Sequence, residues 1–296
     1  MLERREGPGV AELSAHAQAR RFAVALSAAI APWLRTHGPM HVWLAGMVGS
    51  RNGWQEAAYV PCPLDVQRMA ASVVHLTASG TEVTIVPGAR CVNPRGAPDV
   101  MRGEETQIVG ALRLDPQLAQ GRHIVALPGT HTKWAVLNGG MLETFQTSFS
   151  GELFALLREH SMLARAALSE PPASDESMRA GFELGLARSR ELARTPLPHV
   201  LFEVRSRQLM EGMRHPEALG YLSALIIDQD LQGALDLFSI DAPVTLIGAA
   251  GLTSLYEVAL AARGLQTRAL DASDATVAGI DALKRTGEKD GTSDAT

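Results

Sequence analysis

The chain has 296 residues, of which 46% are hydrophobic and 20% are charged, and this composition excludes intrinsic disorder and a collagen-like fibre. The formal net charge is −5 and no block of basic residues stands out, so we expect no nucleic-acid partner. Two cysteines, Cys62 and Cys91, are too few for a disulfide framework and match no zinc spacing, which favours a reduced, cytoplasmic protein. The apolar stretch at 22–34 is shorter than the about 20 residues that cross a bilayer, so we expect no membrane span.

The first part of the chain alternates helical and extended patterns. Phe22, Leu26 and Ile30 recur at helical spacing and predict a buried amphipathic helix. The elements expected after it are a strand over 40–48, a loop over 49–54, a strand over 82–86, a loop over 87–103 and a helix that begins near Glu104. This alternation is typical of α/β proteins.

The second part of the chain begins near Gly121 with three extended patterns in succession. The elements expected there are strands over 123–127, 133–137 and 141–147, helices from Ser150 and near 175–193, 201–213 and 217–238, a strand over 244–247, a helix over 252–263, a strand over 266–270, a helix over 275–284 and a polar tail from Gly287. Asn138-Gly139 between two strands indicates a hairpin, and Ser150 is a candidate N-cap.

The most specific local feature is the segment LPGTHTKW at 127–134, between two predicted strands. Gly129 lets a ligand approach the backbone, Thr130 offers a hydroxyl, and Lys133 adds a positive charge that suits phosphate. An ordinary β-turn with an exposed lysine explains the same residues. The chain has only three lysines among its 27 basic residues, and this scarcity favours a ligand-binding role for Lys133.

A second candidate is the segment GAAGL at 248–252, which joins a predicted strand to a predicted helix. Gly248 and Gly251 leave room for a nucleotide at a helix N-terminus, where N–H groups and the helix dipole favour phosphate. A strand-to-helix turn needs small residues for steric reasons as well. The segment therefore gains weight only together with the one at 127–134.

Two further segments carry charged side chains. Arg51 and Trp54, in the loop after the first strand, can clamp a carboxylate and cover the apolar face of a sugar. An exposed arginine and a core tryptophan explain them equally well. Asp99, Glu104 and Glu105, near a helix start, can accept a hydroxyl proton or hold a cation, and they also complement the positive end of the helix.

Four blocks carry a family resemblance: GMVGSRNGWQEAAYVPCP, NPRGAPDVMRGEETQ, LPGTHTKW and SFSGELFALLREHS. In this order the chain resembles the 2-dehydro-3-deoxygalactonokinase family from Leu2 to Arg285, within the superfamily of sugar kinases, actin and Hsp70-type ATPases. The resemblance implies a two-lobe, actin-like (ribonuclease H-like) α/β fold. It places a substrate-binding lobe at 1–121 and a nucleotide-binding lobe at 122–296, whose last helix can pack back on the first lobe.

The resemblance also implies phosphorylation of the 6-hydroxyl of 2-dehydro-3-deoxy-D-galactonate by ATP with Mg²⁺, in D-galactonate breakdown. Phosphoryl transfer needs mainly positioning, charge compensation and a base near the accepting hydroxyl. Either Glu105 or Asp99 is the expected base; the metal ligands stay unassigned, and a homodimer stays an open expectation. The implied binding residues are Gly129, Thr130, His131, Lys133, Gly248 and Gly251 for the nucleotide, and Ser50, Arg51 and Trp54 for the sugar acid.

The chain departs from the family at its start. MLERREGPG stands where family members usually have a strand and an Asp-Trp-Gly turn that supply the first phosphate loop and a magnesium carboxylate. This difference predicts a first lobe without its N-terminal hairpin, and weak or no kinase activity for the sequence as written. The alternative is a catalytically impaired sugar-acid-binding protein of the same fold, and a third interpretation is another kinase of the superfamily.

Overall fold

The structure is a computed structural model that describes residues 7, 10, 13, 19–163, 175–192 and 195–293. The chain divides into two compact units. Unit 1 contains the described residues up to 122 together with 136–145 and those from 272 on, whereas unit 2 contains those within 123–135 and 146–271. The opening segment that departs from the family lies, apart from Gly7, outside the described residues.

The first stretch of unit 1 contains a long helix and two small sheets. Its elements are α1 (Ala19–His37), β1 (Val42–Leu44), a 3₁₀ turn (Met47–Gly49), β2 (Tyr59–Pro61), α2 (Val66–Ala70), β3 (Val74–Ala78), β4 (Thr81–Ile85), β5 (Gly88–Val92), β6 (Pro98–Met101), α3 (Glu104–Leu114) and a 3₁₀ turn (Pro116–Ala119). In one sheet β4 lies between β1, which is parallel to it, and β3, which is antiparallel. In the other, β5 lies between the parallel β2 and the antiparallel β6.

A five-stranded sheet lies mostly in unit 2, whereas residues 136–145, which form parts of two of its strands, are assigned to unit 1. The elements from there to the end of the described chain are β7 (Arg122–Leu127), β8 (Thr132–Asn138), β9 (Met141–Ser148), α4 (Ser150–His160), α5 (Asp175–Glu191), α6 (Leu197–Val200), α7 (Glu203–Met210), α8 (His215–Leu237), β10 (Val244–Gly248), α9 (Ala250–Ala261), β11 (Thr267–Asp271) and α10 (Ala272–Ser293), the last of which belongs to unit 1. The strand order is β11-β10-β7-β8-β9, and β10 is parallel to both β11 and β7. Both units therefore combine helices with sheets, and the α/β class is confirmed.

Close helix contacts in both units depend on glycine. A Cβ on Gly110 of α3 would lie 1.7 Å from the carbonyl oxygen of Ala275 in α10. In unit 2, a Cβ on Gly220 of α8 would lie 1.9 Å from the carbonyl oxygen of Met178 in α5. Because any larger residue would push the backbones apart, these glycines set how closely each helix pair packs.

Several predicted boundaries differ from the structure. The strand expected over 40–48 ends early because Gly46 has φ of 86°, after which the chain turns. The loop expected over 87–103 contains β5 and β6, whose short runs are interrupted by a turn around Gly96. The polar tail expected from Gly287 is wrong in part, because α10 continues to Ser293. Among the described residues, no helix is long and apolar enough to cross a membrane.

Candidate functional site

A cavity of about 640 Å³ lies within unit 2. Its wall is mostly apolar and includes Phe154, Phe182, Ile226, Ile227 and Leu255, with serines and an arginine–glutamate pair among the remaining lining residues. Pockets for small organic ligands commonly have about 300–1,000 Å³ and this kind of lining. The cavity is therefore large and apolar enough to receive an aromatic ring such as a nucleotide base.

The two glycine segments singled out in the sequence meet at this cavity. β7 and β10 are parallel neighbours, so the loops that follow their carboxyl ends leave the same edge of the sheet. Gly129 follows β7, Gly251 follows β10, and both line the cavity. Gly248 is buried between them, and a Cβ there would lie 3.4 Å from the carbonyl oxygen of Pro128.

Two helix N-termini also line the cavity. Ser150 and Gly151 begin α4, and Gly251 and Leu252 lie in the first turn of α9. The first turn of a helix carries partial positive charge, which attracts phosphate. The start of α4 is fixed against the loop at 128–131, because a Cβ on Gly151 would lie 2.1 Å from the carbonyl oxygen of Gly129.

Thr130 and His131 lie on the exposed side of this loop. The backbone N–H of Glu152 donates to the carbonyl oxygen of Thr130 at 2.8 Å. The His131 Nε2 lies 2.5 Å from a Glu152 carboxylate oxygen, and its ring stacks on Phe149 with centroids 5.5 Å apart. Neither Thr130 nor His131 is among the described lining residues, so their contact with a nucleotide stays a prediction.

Lys133 is buried, with 5% of its surface exposed, so the alternative of an exposed turn lysine is wrong. It lies in β8, and its Nζ donates to the hydroxyl of Thr147 at 2.9 Å. Lys133 is not among the described residues that line the cavity, and its phosphate contact stays a prediction.

Behind the cavity wall lies a buried polar network that the sequence analysis missed. The Asp230 carboxylate accepts from Trp134 Nε1 at 2.9 Å and from the Tyr256 hydroxyl, which also contacts the hydroxyl of Thr132 at 3.1 Å. Burial raises the pKa of Asp230. Ser150 is not an N-cap, because its hydroxyl donates to Thr132 Oγ1 at 2.9 Å and Phe149 takes the cap position. The network ties α8, α9, β8 and the start of α4 together around the loop.

In unit 1, the predicted sugar-acid residues have different surroundings. Arg51 is 86% exposed at its side chain, with its Nε 3.9 Å from a Glu56 carboxylate oxygen. Trp54 stacks on Phe22, with ring centroids 6.3 Å apart, and packs against the core residues of β4. These contacts match the interpretation of Arg51 as an exposed arginine and Trp54 as a core tryptophan. Their contact with a substrate stays a prediction.

The two candidate bases also differ. Both carboxylate oxygens of Glu105 accept from the backbone N–H of Gly103, at 2.9 and 2.7 Å, and one accepts from the Thr106 hydroxyl. Burial raises the Glu105 pKa from 4.5 to about 7, with the charge of Glu104 adding to the shift. Asp99 is half-buried on β6 and accepts from the backbone N–H of Val100 at 2.8 Å.

A buried arginine, Arg102, lies beside these residues, and the sequence analysis gave it no role. It is 8% exposed, and its Nη2 donates to the carbonyl oxygen of Ala57 at 2.8 Å. Among the residues that the structure describes, its Nε and Nη1 have no hydrogen-bond partner, and the same holds for the hydroxyl of buried Ser50. Within the ranges that the structure describes, no group of three or more His, Cys, Asp or Glu residues could hold a metal ion.

Comparisons with known proteins agree with the family resemblance. The profile of the 2-keto-3-deoxy-galactonokinase family matches residues 1–283. The chain is 37% identical, over 83% of its length and 79% of the relative, to a provisionally named 2-dehydro-3-deoxygalactonokinase of Rhizobium meliloti strain 1021. It is 34% identical to the 2-dehydro-3-deoxygalactonokinase of Escherichia coli K12, over 81% of its length and 76% of the relative.

A solved structure gives the same result. The crystal structure of a protein from Sinorhizobium meliloti, provisionally described as a 2-dehydro-3-deoxygalactonokinase, superimposes with a TM-score of 0.80 at 34% identity. The match covers 90% of this chain and 86% of the other. A profile that spans nearly the whole chain and relatives above 30% identity lead to one conclusion: the chain belongs to the 2-keto-3-deoxy-galactonokinase family.

Proposed function

We propose that this chain transfers the γ-phosphoryl group of ATP to the 6-hydroxyl of 2-dehydro-3-deoxy-D-galactonate. The bond between the γ-phosphorus and the bridging oxygen breaks, a new phosphorus–oxygen bond forms, and the hydroxyl proton passes to a base. Family membership supports this reaction. The observation that carries the proposal is that Gly129 and Gly251, from the two glycine segments, line one apolar cavity of unit 2.

The nucleotide half of the reaction is assigned to this cavity. Phe154, Phe182 and Leu255 supply an apolar wall for the adenine ring. The phosphates would extend toward the N-termini of α4 and α9, where backbone N–H groups and the helix dipoles compensate negative charge. The buried network at Asp230 holds the loop at 128–131 in place, so the binding groups need little rearrangement when ATP arrives.

Mg²⁺ would accompany ATP and neutralise charge on the phosphate oxygens. Magnesium commonly keeps several waters and is bound by substrate phosphates with one or two carboxylates. Since the part of the chain that the structure describes offers no group of three acidic or imidazole ligands, we assign no protein ligand to the ion.

The sugar-acid half is assigned to unit 1. Ser50, Arg51 and Trp54 are the proposed substrate contacts, and Asp99 and Glu105 are the two proposed bases. A pKa of about 7 suits Glu105 to proton transfer near neutral pH, whereas its two occupied oxygens suit it equally to positioning Gly103. Asp99 is the more accessible of the two carboxylates.

The remaining parts of the proposal follow from the family resemblance. We propose the two-lobe, actin-like fold of sugar kinases, whose class the α/β structure and the family match support. We place the reaction in the cytoplasm, where ATP is made available and where the free thiols of Cys62 and Cys91 would persist.

A coupled assay of ADP release tests the reaction. We expect ADP release with 2-dehydro-3-deoxygalactonate and ATP, at a low rate because the segment at 1–9 departs from the family, and much less with the corresponding gluconate-derived acid or with hexoses. ADP release with a hexose alone would overturn the substrate assignment. Absence of ADP release with every sugar acid would overturn the kinase assignment.

Filling the cavity tests the nucleotide assignment separately. A Cβ on Gly251 meets no atom within 4 Å, so Gly251→Leu should place a side chain in the cavity without straining the fold. We expect ATP affinity to fall about tenfold or more, as measured by calorimetry. Gly287→Leu on the exposed part of α10 is the matched control, because a Cβ there also meets nothing within 4 Å. Equal ATP affinity in the two variants would place the nucleotide elsewhere.

A further inference from the structure

Arg102 holds a charge in an unusual position. It follows β6 directly, and its guanidinium carbon lies 4.1 Å from the centroid of the Tyr59 ring. One nitrogen, Nη2, donates to the carbonyl oxygen of Ala57, while Nε and Nη1 are buried without a hydrogen-bond partner in the described part of the chain. No carboxylate among the described residues pairs with this guanidinium.

Burying a charged group without a hydrogen-bonding or oppositely charged partner destabilises the folded state. Arginine stays ionised in proteins, so Arg102 cannot lower this cost by losing its proton. Native structures leave few buried polar groups unsatisfied, and an unsatisfied pair on one side chain is a place where a ligand, an ion or a water can bind. The contact with the Tyr59 ring compensates the charge in part but offers Nε–H and Nη1–H no acceptor.

A second unpartnered group belongs to the residue that follows Gly49. The hydroxyl of Ser50 is buried and has no hydrogen-bond partner among the described residues. Gly49, its chain neighbour, packs directly on the guanidinium, because a Cβ on Gly49 would lie 3.0 Å from Arg102 Nη1. The absence of a side chain on Gly49 therefore brings the backbone that carries Ser50 against the arginine.

The unsatisfied donors match one chemical class of ligand. A guanidinium N–H donates a strong, charge-assisted hydrogen bond to a carboxylate oxygen, and a hydroxyl can donate to the same group. Nε–H and Nη1–H point to different sides of the guanidinium, so one of them, and not the pair, would donate to a given carboxylate. Arg51 has no comparable setting, since its side chain is 86% exposed and its Nε is 3.9 Å from Glu56. Solvent screening weakens exposed charge pairs of this kind.

We propose that Arg102, assisted by Ser50, binds the carboxylate of the sugar acid and sets the preference of this chain for an acid over a neutral sugar. The proposal rests on the proposed function, because it takes the sugar acid as the ligand. Nε and Nη1 are closed to solvent, so this binding requires the chain segment that covers them to move aside.

The decisive experiment compares Arg102→Gln with Arg51→Gln. Glutamine keeps an amide donor near the position of Nε but removes the charge and the hydrogen bond from Nη2 to Ala57. For each protein we would measure kcat and KM for the sugar acid and for its neutral methyl ester, and the affinity for each by calorimetry. ATP affinity and thermal unfolding report whether unit 2 and the fold are intact.

We expect Arg102→Gln to raise KM for the acid about 10- to 150-fold, the effect of one lost hydrogen bond to a charged group, with little change in kcat. KM for the ester should change little, so the preference for the acid over the ester is lost. Arg51→Gln should raise KM for the acid less than Arg102→Gln does, because solvent screens the charge of the exposed Arg51 side chain. Ser50→Ala serves as the milder second variant in case Arg102→Gln does not fold. It should weaken binding of the acid but leave binding of the ester unchanged.

An unchanged acid-to-ester ratio in Arg102→Gln, or in Ser50→Ala where Arg102→Gln does not fold, would overturn the inference while leaving the kinase assignment in place. A larger loss in Arg51→Gln would move the carboxylate site to Arg51. If the wild-type chain binds the acid but releases no ADP, the proposed reaction fails, and the calorimetric comparison still decides the role of Arg102.

Discussion

Replacing Glu105 by glutamine should remove a pH-dependent loss of stability from unit 1. The carboxyl group of Glu105 is 1% exposed and accepts from the backbone N–H of Gly103 and from the Thr106 hydroxyl. Burial raises its pKa above the value in an unfolded chain. The neutral form is therefore favoured in the folded protein, and ionisation of Glu105 works against folding.

The magnitude follows from the size of the shift. A rise of the pKa from 4.5 to about 7 corresponds to about 3.5 kcal/mol, since one pKa unit is worth about 1.4 kcal/mol. Below pH 4.5 the carboxyl is protonated in the folded and unfolded states alike, and its full contribution is present. As the pH rises from 4.5 to 7, the unfolded state ionises while the folded state stays protonated, so the free energy of unfolding falls, and it levels off once the pH passes the folded-state pKa of about 7.

Urea unfolding of wild type and Glu105→Gln between pH 5 and 8 measures this effect. Three of the four tryptophans, Trp33, Trp43 and Trp54, lie in unit 1, so their fluorescence reports mainly on that unit. We expect the stability of wild type relative to Glu105→Gln to fall by about 2.5 kcal/mol over this range. Glu82→Gln, at an exposed position of β4, is the matched control. A difference that stays constant from pH 5 to 8 would refute the reasoning.

Two further substitutions test single contacts. Lys133→Ala should raise KM for ATP about tenfold if the buried ammonium compensates phosphate charge. Lys284→Ala, at an exposed position of α10, is the control and should leave KM for ATP unchanged. Equal KM values in the two variants would mean that Lys133 has a structural role only. Gly110→Ala should destabilise the protein by about 1–3 kcal/mol in thermal unfolding, because its Cβ would lie 1.7 Å from the carbonyl oxygen of Ala275. Gly287→Ala on open helix surface is the control and should be neutral or slightly stabilising; a neutral Gly110→Ala would mean that α3 and α10 do not pack this closely.

The sequence predicted the elements that carry long, regular patterns. The periodic apolar residues of α1 and α8 and the strands on either side of Gly139-Gly140 were located within a few residues. β5 and β6 were missed because each has five residues or fewer and a turn at Gly96 separates them. A run this short fits a loop as well as a strand, and only pairing with a partner decides between the two.

The candidate site shows the same division. Gly129 and Gly251 were found because turns after strands leave a local signature, and the parallel pairing of β7 and β10 brings them to one cavity. Asp230 and Arg102 were missed, since the partners of a buried polar group come from distant parts of the chain. The hydrogen bond from Trp134 to Asp230 spans 96 residues, and no local pattern announces it.

The way the chain threads through the two units bears on how the protein is made. The last helix of unit 1, α10, comes from the end of the described chain, after the whole of unit 2 has been traced. During translation the amino-terminal unit usually folds first, at about 5–20 residues per second. Here the ribosome releases every strand of unit 2 before α10 can cover Gly110. The unit that is synthesised first is therefore completed last. Until α10 has been synthesised, the face of α3 that contains Gly110 stays uncovered in the nascent chain.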